Sequence, residues 1–422
     1  IGRTAEGRGH GGDRGPRRMH VRPSRAWRPA PHTAHLVGSR SFLNYSTEQL
    51  REKLAGNPYT FLHIVYADHD RHGLTRAEHF DGVRRKFTEF TEKHILQREE
   101  HPAFYLYEQS CGAFTSRGII GAVAVTDYRE GRVKVHEQTL ATREELFSDY
   151  LDHTGINAEP VLLAVPDAPD LEAALDDIAQ RPTLYDFCTT DQVRHRFWKV
   201  DAPEELVALG GHFKRMPAMY IADGHHRCAS SARLADCLHA DPQGPKSAFL
   251  AFMVPERQLH IYNYDRTVKG LNGLSEEAFL TELRKVGTLT PLSGGPGEPD
   301  PQSVQVHVKS GWYALALPKT SGNNPVDALD AAVLSEAVLG PVLGISDLRT
   351  DPRIRFVPGT HDTSELEQAI SSGKADVAFH LRAVTFNEMR TVADSGRCMP
   401  PKTTWIEPKL RSGLTIYSLE DH

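Results

Sequence analysis

Cysteine is scarce in this 422-residue chain and long apolar runs are missing, and each shortage removes a class of protein. The five cysteines, Cys111, Cys188, Cys228, Cys237 and Cys398, are scattered, odd in number and without metal-ligand spacing. That argues against a disulfide scaffold or a cysteine-bound zinc module and fits a reducing cytoplasm. Nothing approaches the ~18 consecutive apolar residues of a membrane-spanning helix, so no membrane partner is expected. An excess of positive charge is lacking too: 49 Lys+Arg against 55 Asp+Glu leave −6, whereas a general nucleic-acid binder is basic overall. Local basic patches survive that argument. There is no internal repeat, no Walker A loop, no kinase loop set and no dinucleotide glycine pattern. His136-Glu137 has no second histidine at the helical offset of a zinc protease.

What remains is an ordinary globular composition, 39% apolar and 25% charged, long enough for two or three domains. Ile1–Arg18 is rich in glycine and arginine, has no apolar period and cannot form a core. It reads as a disordered, non-native extension ahead of a natural start at Met19. A capping arrangement at Ser46-Thr47-Glu48-Gln49 opens a helix through Leu54, and Phe61–Val65 reads as a strand. Phe80, Val83, Phe87 and Phe90 recur at helical spacing from Ala77 to Lys93 as core packing. Strands are expected at 103–107, 119–125, 159–165, 247–255 and 259–268, with helices at 170–178 and 203–213. Composition changes near Leu289, and Ser293–Gly297 reads as a linker. Beyond it, strands at 304–308, 312–317, 375–380 and 414–417 and a helix over 327–339 predict a smaller α/β portion.

Chemistry concentrates in Met219–Leu234. A short apolar strand breaks at Asp223-Gly224 and continues as a helix of small residues. Free N–H groups and a partial positive charge at that helix start suit an anion, and Gly224 allows its close approach. His225, His226 and Arg227 add donors where the helix dipole disfavours cations, a conflict that a phosphate would remove. Asp223 stands where an N-cap would and could instead hold Mg²⁺ or orient a hydroxyl. The bland alternative is a solvated Asp-Gly turn. Cys228 reads as a small buried thiol or, following the turn, a reactive one.

Two further stretches bear on the same chemistry. In Arg132–Thr139, strand alternation puts Lys134, His136 and Gln138 on one face, while a turn at His136-Glu137 would let Glu137 enter the cleft. Arg143 is the member of the following helix expected to face the site. In Met399–Lys409 the prolines stiffen a loop presenting Lys402, Thr403 and Lys409, which could reach back over the phosphate turn or could be a surface loop packed by Trp405. Asp265-Arg266 is expected to pair across the cleft.

The Asp223–Arg227 stretch resembles the phosphate-binding turn of the ParB/sulfiredoxin-like superfamily, which includes ParB proteins, sulfiredoxin and archaeal free-serine kinases. More closely, Asn57–His63, Lys134–Thr139, Asp223–Arg227, Tyr264–Arg266 and Met399–Lys409 resemble, in order, the bacterial family catalogued as domain of unknown function one thousand and fifteen, over about Val21 to Leu419. The resemblance implies an α/β fold with mixed sheets. Residues 19–290 would form a ParB/sulfiredoxin-like phosphate-binding core with insertions, and residues 298–422 a C-terminal α/β portion closing over the site.

It also implies a phosphotransferase interconverting serine and O-phosphoserine, with diphosphate or a nucleotide as phosphoryl partner and Mg²⁺ as cofactor. Glu137 and Asp223 would be catalytic, with Asp223 the metal ligand. Gly224, His225, His226, Arg227, Lys134, His136 and Lys402 would bind phosphate, and Thr139, Arg143 and Lys409 the substrate. A phosphoserine phosphatase would use the same site with water as acceptor. A ParB-like nucleotide- or DNA-binding module without turnover is the third reading, disfavoured by the acidic net charge and the lack of a helix-turn-helix.

Overall fold

Strands that are apolar on both faces organise the molecule. Ala248–Pro255 and Val161–Val165 are buried at every position, as strands inside a sheet covered on both sides must be. The computed structural model describes residues 18–112, 114–360 and 362–420, so the expectation for Ile1–Arg18 lies outside the described residues except at Arg18.

The first sheet runs Val133–Lys134, Met219–Asp223, Val161–Val165, Ala248–Pro255, Phe114–Ala124, Phe104–Cys111, Arg194–Val200, Tyr185–Cys188, with Val21–Arg22 added beside Phe114–Ala124. It is mixed. Met219–Asp223 is parallel to Val133–Lys134, Ala248–Pro255 is parallel to Val161–Val165, and the other pairs are antiparallel. Alternation along the strands divides their side chains between two cores. Phe104, Leu106, Leu163, Phe249 and Ala251 pack with Leu171, Leu175, Phe213 and Ala232 of the Pro169–Ala179, Pro203–Lys214 and His225–Cys237 helices. On the opposite face Tyr105, Leu162, Ala164, Leu250 and Phe252 pack with Met389, Val392, Met399, Ile406 and Leu410. The C-terminal segment is thereby folded onto the central sheet.

A short turn after Pro255 leads into His260–Val268, the strand that joins the two halves. Its first part pairs with Thr404–Glu407 and its second with Ile354–Pro358 and Val377–His380. The second sheet continues through Ser303–Val308, Gly311–Ala316 and Leu289–Pro291. Phe279 and Leu283 of the Glu276–Val286 helix fill its core with Val304, Val306, Val377 and Phe379. The Ser293–Gly297 stretch lies between two of its strands.

The α/β architecture with mixed sheets is the one expected, and the Ser46/Gln49 capping box is formed. Phe61–Val65 departs from expectation: Leu62–Val65 is a helical turn. Two apolar pairs on either side of His63 are too short to show a period, and local polar contacts decide the conformation. Asn57 Oδ1 accepts from Tyr59 N at 3.0 Å, and the Asn57 carbonyl meets His63 Nε2 at 3.0 Å. The helix expected over 327–339 begins at Asp330 and turns π-helical over Ser335–Leu339. At the C-terminus the strand expected over 414–417 is reduced to the pairing of Tyr417–Ser418 with Ile156–Asn157 and an isolated antiparallel bridge from Ile416 to Trp27. Among the described residues no helix is long and apolar enough to cross a membrane.

Candidate active site

The Met219–Asp223 strand ends where Gly224 takes φ +101°, and Gly224, not Asp223, is the N-cap of the His225–Cys237 helix. Asp223 is still paired to Leu162 in the sheet, so its carboxylate serves other partners. A Cβ at position 224 would lie 3.0 Å from Arg227 Cζ on a backbone that only glycine adopts freely. Gly224→Ala is therefore expected to lower stability by about 1–3 kcal/mol, read from the midpoint of urea unfolding.

The Pro400–Lys409 loop closes over this turn. Met399 N donates to the His136 carbonyl at 2.8 Å, which ties the loop to the segment carrying Glu137. Lys409 Nζ reaches Asp223 Oδ2 at 3.1 Å, while Arg227 approaches Oδ1 at 3.9 Å. Lys402 Nζ lies 5.3 Å from the centre of the Tyr264 ring. The loop is held from beneath by Arg266, which is 1% exposed and donates to the carbonyls of Tyr264 and Lys402. Asp265 and Arg266 do not clasp each other across the cleft as expected. Successive strand residues point to opposite faces, and Asp265 instead takes His380 Nδ1 at 3.0 Å and Leu381 N at 3.1 Å.

Glu137 and Asp223 have opposite electrostatics. Burial, then the charge of Asp223, raises the Glu137 carboxyl above the ordinary carboxylate range against the pull of Lys402 and Lys409. Burial also works against the Asp223 anion, but Lys409 and Arg227 outweigh it and keep that carboxyl below its usual value. Tyr264 stands near both, its hydroxyl pushed up to about 12 by burial and by Glu137 and Asp223.

Two histidines form the wall beside them. His225 Nε2 accepts from His136 N at 3.4 Å, so in the neutral ring the proton sits on Nδ1, which lies 3.7 Å from Glu137 Oε2. The His136 ring meets His225 edge-on at 4.5 Å, and both its nitrogens are buried without a hydrogen-bond partner among the described residues. Burial brings His136 down to about 4 and carries His225 well below 6.5. In the linkage, these rings take up protons near pH 6.5 when unfolded but only at lower pH when folded. Their contribution to stability is complete above pH ~6.5 and falls as pH drops from there toward 4, where His136 titrates in the fold. The chain is expected to unfold at lower urea concentration at pH 5 than at pH 7.5, with the difference reduced in His136→Gln.

The other expected site residues are placed as follows. His226 accepts from Leu140 N at 3.1 Å through Nε2, and Arg143 lies near enough to lower its pKa, after burial. Arg227 is largely spoken for, donating to the carbonyls of Glu159 and Pro160 and pairing with Glu159 at 3.2 Å. Thr139 donates to Glu144, and Lys134 turns to Asp394 at 3.7 Å, because the strand carrying it ends at Lys134 and the alternation through Gln138 is not continued. Glu137, Asp223, His136, His225, Lys402 and Lys409 thus come together, while Lys134 and Thr139 have other partners. Cys228 is buried, and burial pushes its thiol up, so it is an inert core residue. Tyr264 was not singled out as a site residue, although it opens the Tyr264–Arg266 stretch. Cys398, whose thiol is raised by burial and then by Glu137, carries no sequence signal beyond preceding Met399.

The family model described as "Protein of unknown function (DUF1015)" matches residues 21–332. The chain belongs to that family. The match spans Glu137, Asp223 and Tyr264, and the Pro400–Lys409 loop lies beyond it. No curated protein matches the sequence. Among solved structures, a free serine kinase in complex with AMP is 16% identical at a TM-score of 0.36, covering 69% of this chain and 90% of its own. A conserved hypothetical protein from Pyrococcus furiosus is 16% identical at a TM-score of 0.35, covering 71% and 95%. SbnI with a C-terminal truncation, from Staphylococcus aureus, is 13% identical at 0.37, covering 70% and 85%.

Proposed function

We propose that this family member is a small-molecule phosphotransferase that interconverts serine and O-phosphoserine, with diphosphate or a nucleotide as phosphoryl partner. The observation that carries the reading is the meeting at the glycine turn of Asp223, held by Lys409 at 3.1 Å, with Glu137, which faces the buried His225–His136 pair, and there the two carboxyls are drawn in opposite directions, Glu137 upward and Asp223 downward. A carboxylate of raised pKa suits a general base near neutral pH. Glu137 takes the hydroxyl proton as the serine oxygen forms its bond to phosphorus. The bond from phosphorus to the bridging oxygen breaks, and its electron pair leaves with the departing phosphate. His225 Nδ1–H faces the Glu137 carboxylate at 3.7 Å, and Lys402, Lys409 and Arg227 offset charge on the phosphoryl oxygens.

Among the described residues no group of three His, Cys, Asp or Glu side chains could hold a metal. The donor set fits Mg²⁺ only as that ion is bound with phosphates, through one or two carboxylates, substrate oxygens and water. Asp223, whose carboxyl is kept below its usual value, would be the protein ligand, with Glu137 close enough to feel its charge. Mg²⁺ bound there would supply Lewis-acid neutralisation of phosphate charge. The choice of serine rests on the resemblance of the family to the free-serine kinases, whose phosphate-binding turn Asp223–Arg227 resembles, and not on any residue read as selecting serine.

Phosphorus NMR of the protein with Mg²⁺ and O-phosphoserine, with added phosphate, AMP or ADP, tests the reading. A new diphosphate or nucleotide resonance is expected. Release of phosphate alone would make the protein a phosphatase, and no change under any condition would overturn the enzyme.

A further inference from the structure

A second cleft, of about 420 Å³, lies between the Ala34–Val37 and Thr47–Gly56 helices and the Thr189–Asp191 loop, and shares no lining residue with the Asp223 cluster. One wall comes from Asn57 and Thr60, members of the Asn57–His63 stretch to which the Asp223 chemistry assigns no role. The opposite wall carries Arg40, Asp191 and Arg411.

The charges there do not balance. Arg40 and Arg411 each bring a guanidinium nitrogen to 2.5 Å from the same oxygen, Asp191 Oδ2. Glu52 and Lys53, the other charged lining residues, offset one another, so two guanidinium groups share one carboxylate. Arg411 is only 6% exposed on its side chain, where water screens the surplus poorly.

Three donors hold Asp191, two of them on Oδ2. Its Oδ1 takes the Thr189 hydroxyl at 2.5 Å, and Thr189 Oγ1 lies 3.2 Å from His195 Nε2, whose Nδ1 is 2.8 Å from the Tyr107 hydroxyl in the core. That chain of contacts fixes the carboxylate and, through it, both guanidinium groups. Ser39 Oγ, Arg40 Nε and Arg411 Nε are buried and have no hydrogen-bond partner among the described residues, and all three residues line the cleft. Buried donors left unsatisfied cost about 1–3 kcal/mol each, and a small turn of these side chains toward the cleft would offer them to an anion.

We propose that this cleft is a binding site for a small organic anion that docks a carboxylate or phosphate group on Arg40, Arg411 and Ser39. The volume falls within the ~300–1,000 Å³ of small-molecule sites, and a bare phosphate would leave most of it empty. Arg411 stands two residues after Lys409, so the segment that closes over Asp223 also supplies the cleft with its buried cation.

The test is thermal unfolding and calorimetric titration of the full chain with glycerol 3-phosphate and phosphate on one arm and citrate and succinate on the other. At least one is expected to raise Tm saturably, and the arm that does so names the head group. Arg40→Gln leaves one cation on one carboxylate and is expected to weaken that binding at least about tenfold, with Ser39→Ala acting in the same direction, while Asp223→Asn leaves it unchanged. The proposal is overturned if none of the four compounds stabilises the chain. It is overturned equally if Arg40→Gln binds as tightly as the parent, or if Asp223→Asn abolishes the binding and so assigns it to the other site.

Discussion

Glu137→Gln is expected to lower kcat of the serine–phosphoserine exchange by about 10²–10⁴-fold while KM changes little, because the amide keeps the shape of the carboxylate but cannot take a proton. The pH profile of the parent carries the same signature. Burial and the adjacent Asp223 raise the Glu137 carboxyl, so the base is protonated, and activity lost, on an acidic limb displaced upward from the ordinary carboxylate range. Lys409→Met removes a charge that lowers both carboxyls and is expected to move that limb to still higher pH. A Glu137→Gln variant with parental kcat would remove Glu137 from the chemistry, and an unshifted limb in Lys409→Met would remove the electrostatic account of it.

The largest stability effect is expected at Asp127→Ala. Asp127 is fully buried, accepts from His20 N at 2.6 Å and pairs with Arg132 at 2.6 Å, and Arg132 is itself only 6% exposed on its side chain. Truncating the carboxylate leaves the guanidinium buried with one of its two partners gone, a change that costs about 3–5 kcal/mol in such pairs. The same residue pair fixes the turn into Val133–Lys134, since Arg132 N donates to the Asp127 carbonyl at 2.8 Å and Met219 N to the Arg132 carbonyl at 2.9 Å. His136-Glu137 follows directly, so activity is expected to fall with stability. Urea unfolding measures the first effect, and a loss below about 1 kcal/mol would show that Glu130, the other partner of Arg132, suffices to hold it.

Local pattern made much of the fold legible. The Arg76–Glu92, Pro203–Lys214 and Pro169–Ala179 helices follow from apolar spacing and start signals, and Ala248–Pro255 from an unbroken apolar run of strand length. The helical turn within Phe61–Val65 is not legible because a run that short has no period, and the side chain and carbonyl of Asn57 decide its conformation. At the site, the strand–glycine–helix break at Asp223–His225 was legible because glycine marks it. The N-cap was placed one residue early because strand pairing to Leu162 holds Asp223 in the sheet, and pairing depends on a partner distant in the chain.

The sequence by itself determined which chemistry the chain carries: two acidic residues in separate motifs, a basic glycine turn, and a proline-stiffened loop with two lysines. Tertiary structure decided which of these meet. Lys409 reaches Asp223 across 186 positions because Thr404–Glu407 pairs with the first half of His260–Val268 and lays the C-terminal loop over the central sheet. Lys134, in the same motif as Glu137, is drawn to Asp394 instead. The opposed titration of Glu137 and Asp223 is only partly local: Gly224 and Arg227 stand beside Asp223 in the chain, whereas burial, Lys409 and the approach of the two carboxylates come only with folding. Residue type and spacing are local properties of a chain, whereas desolvation and charge proximity belong to the packed molecule.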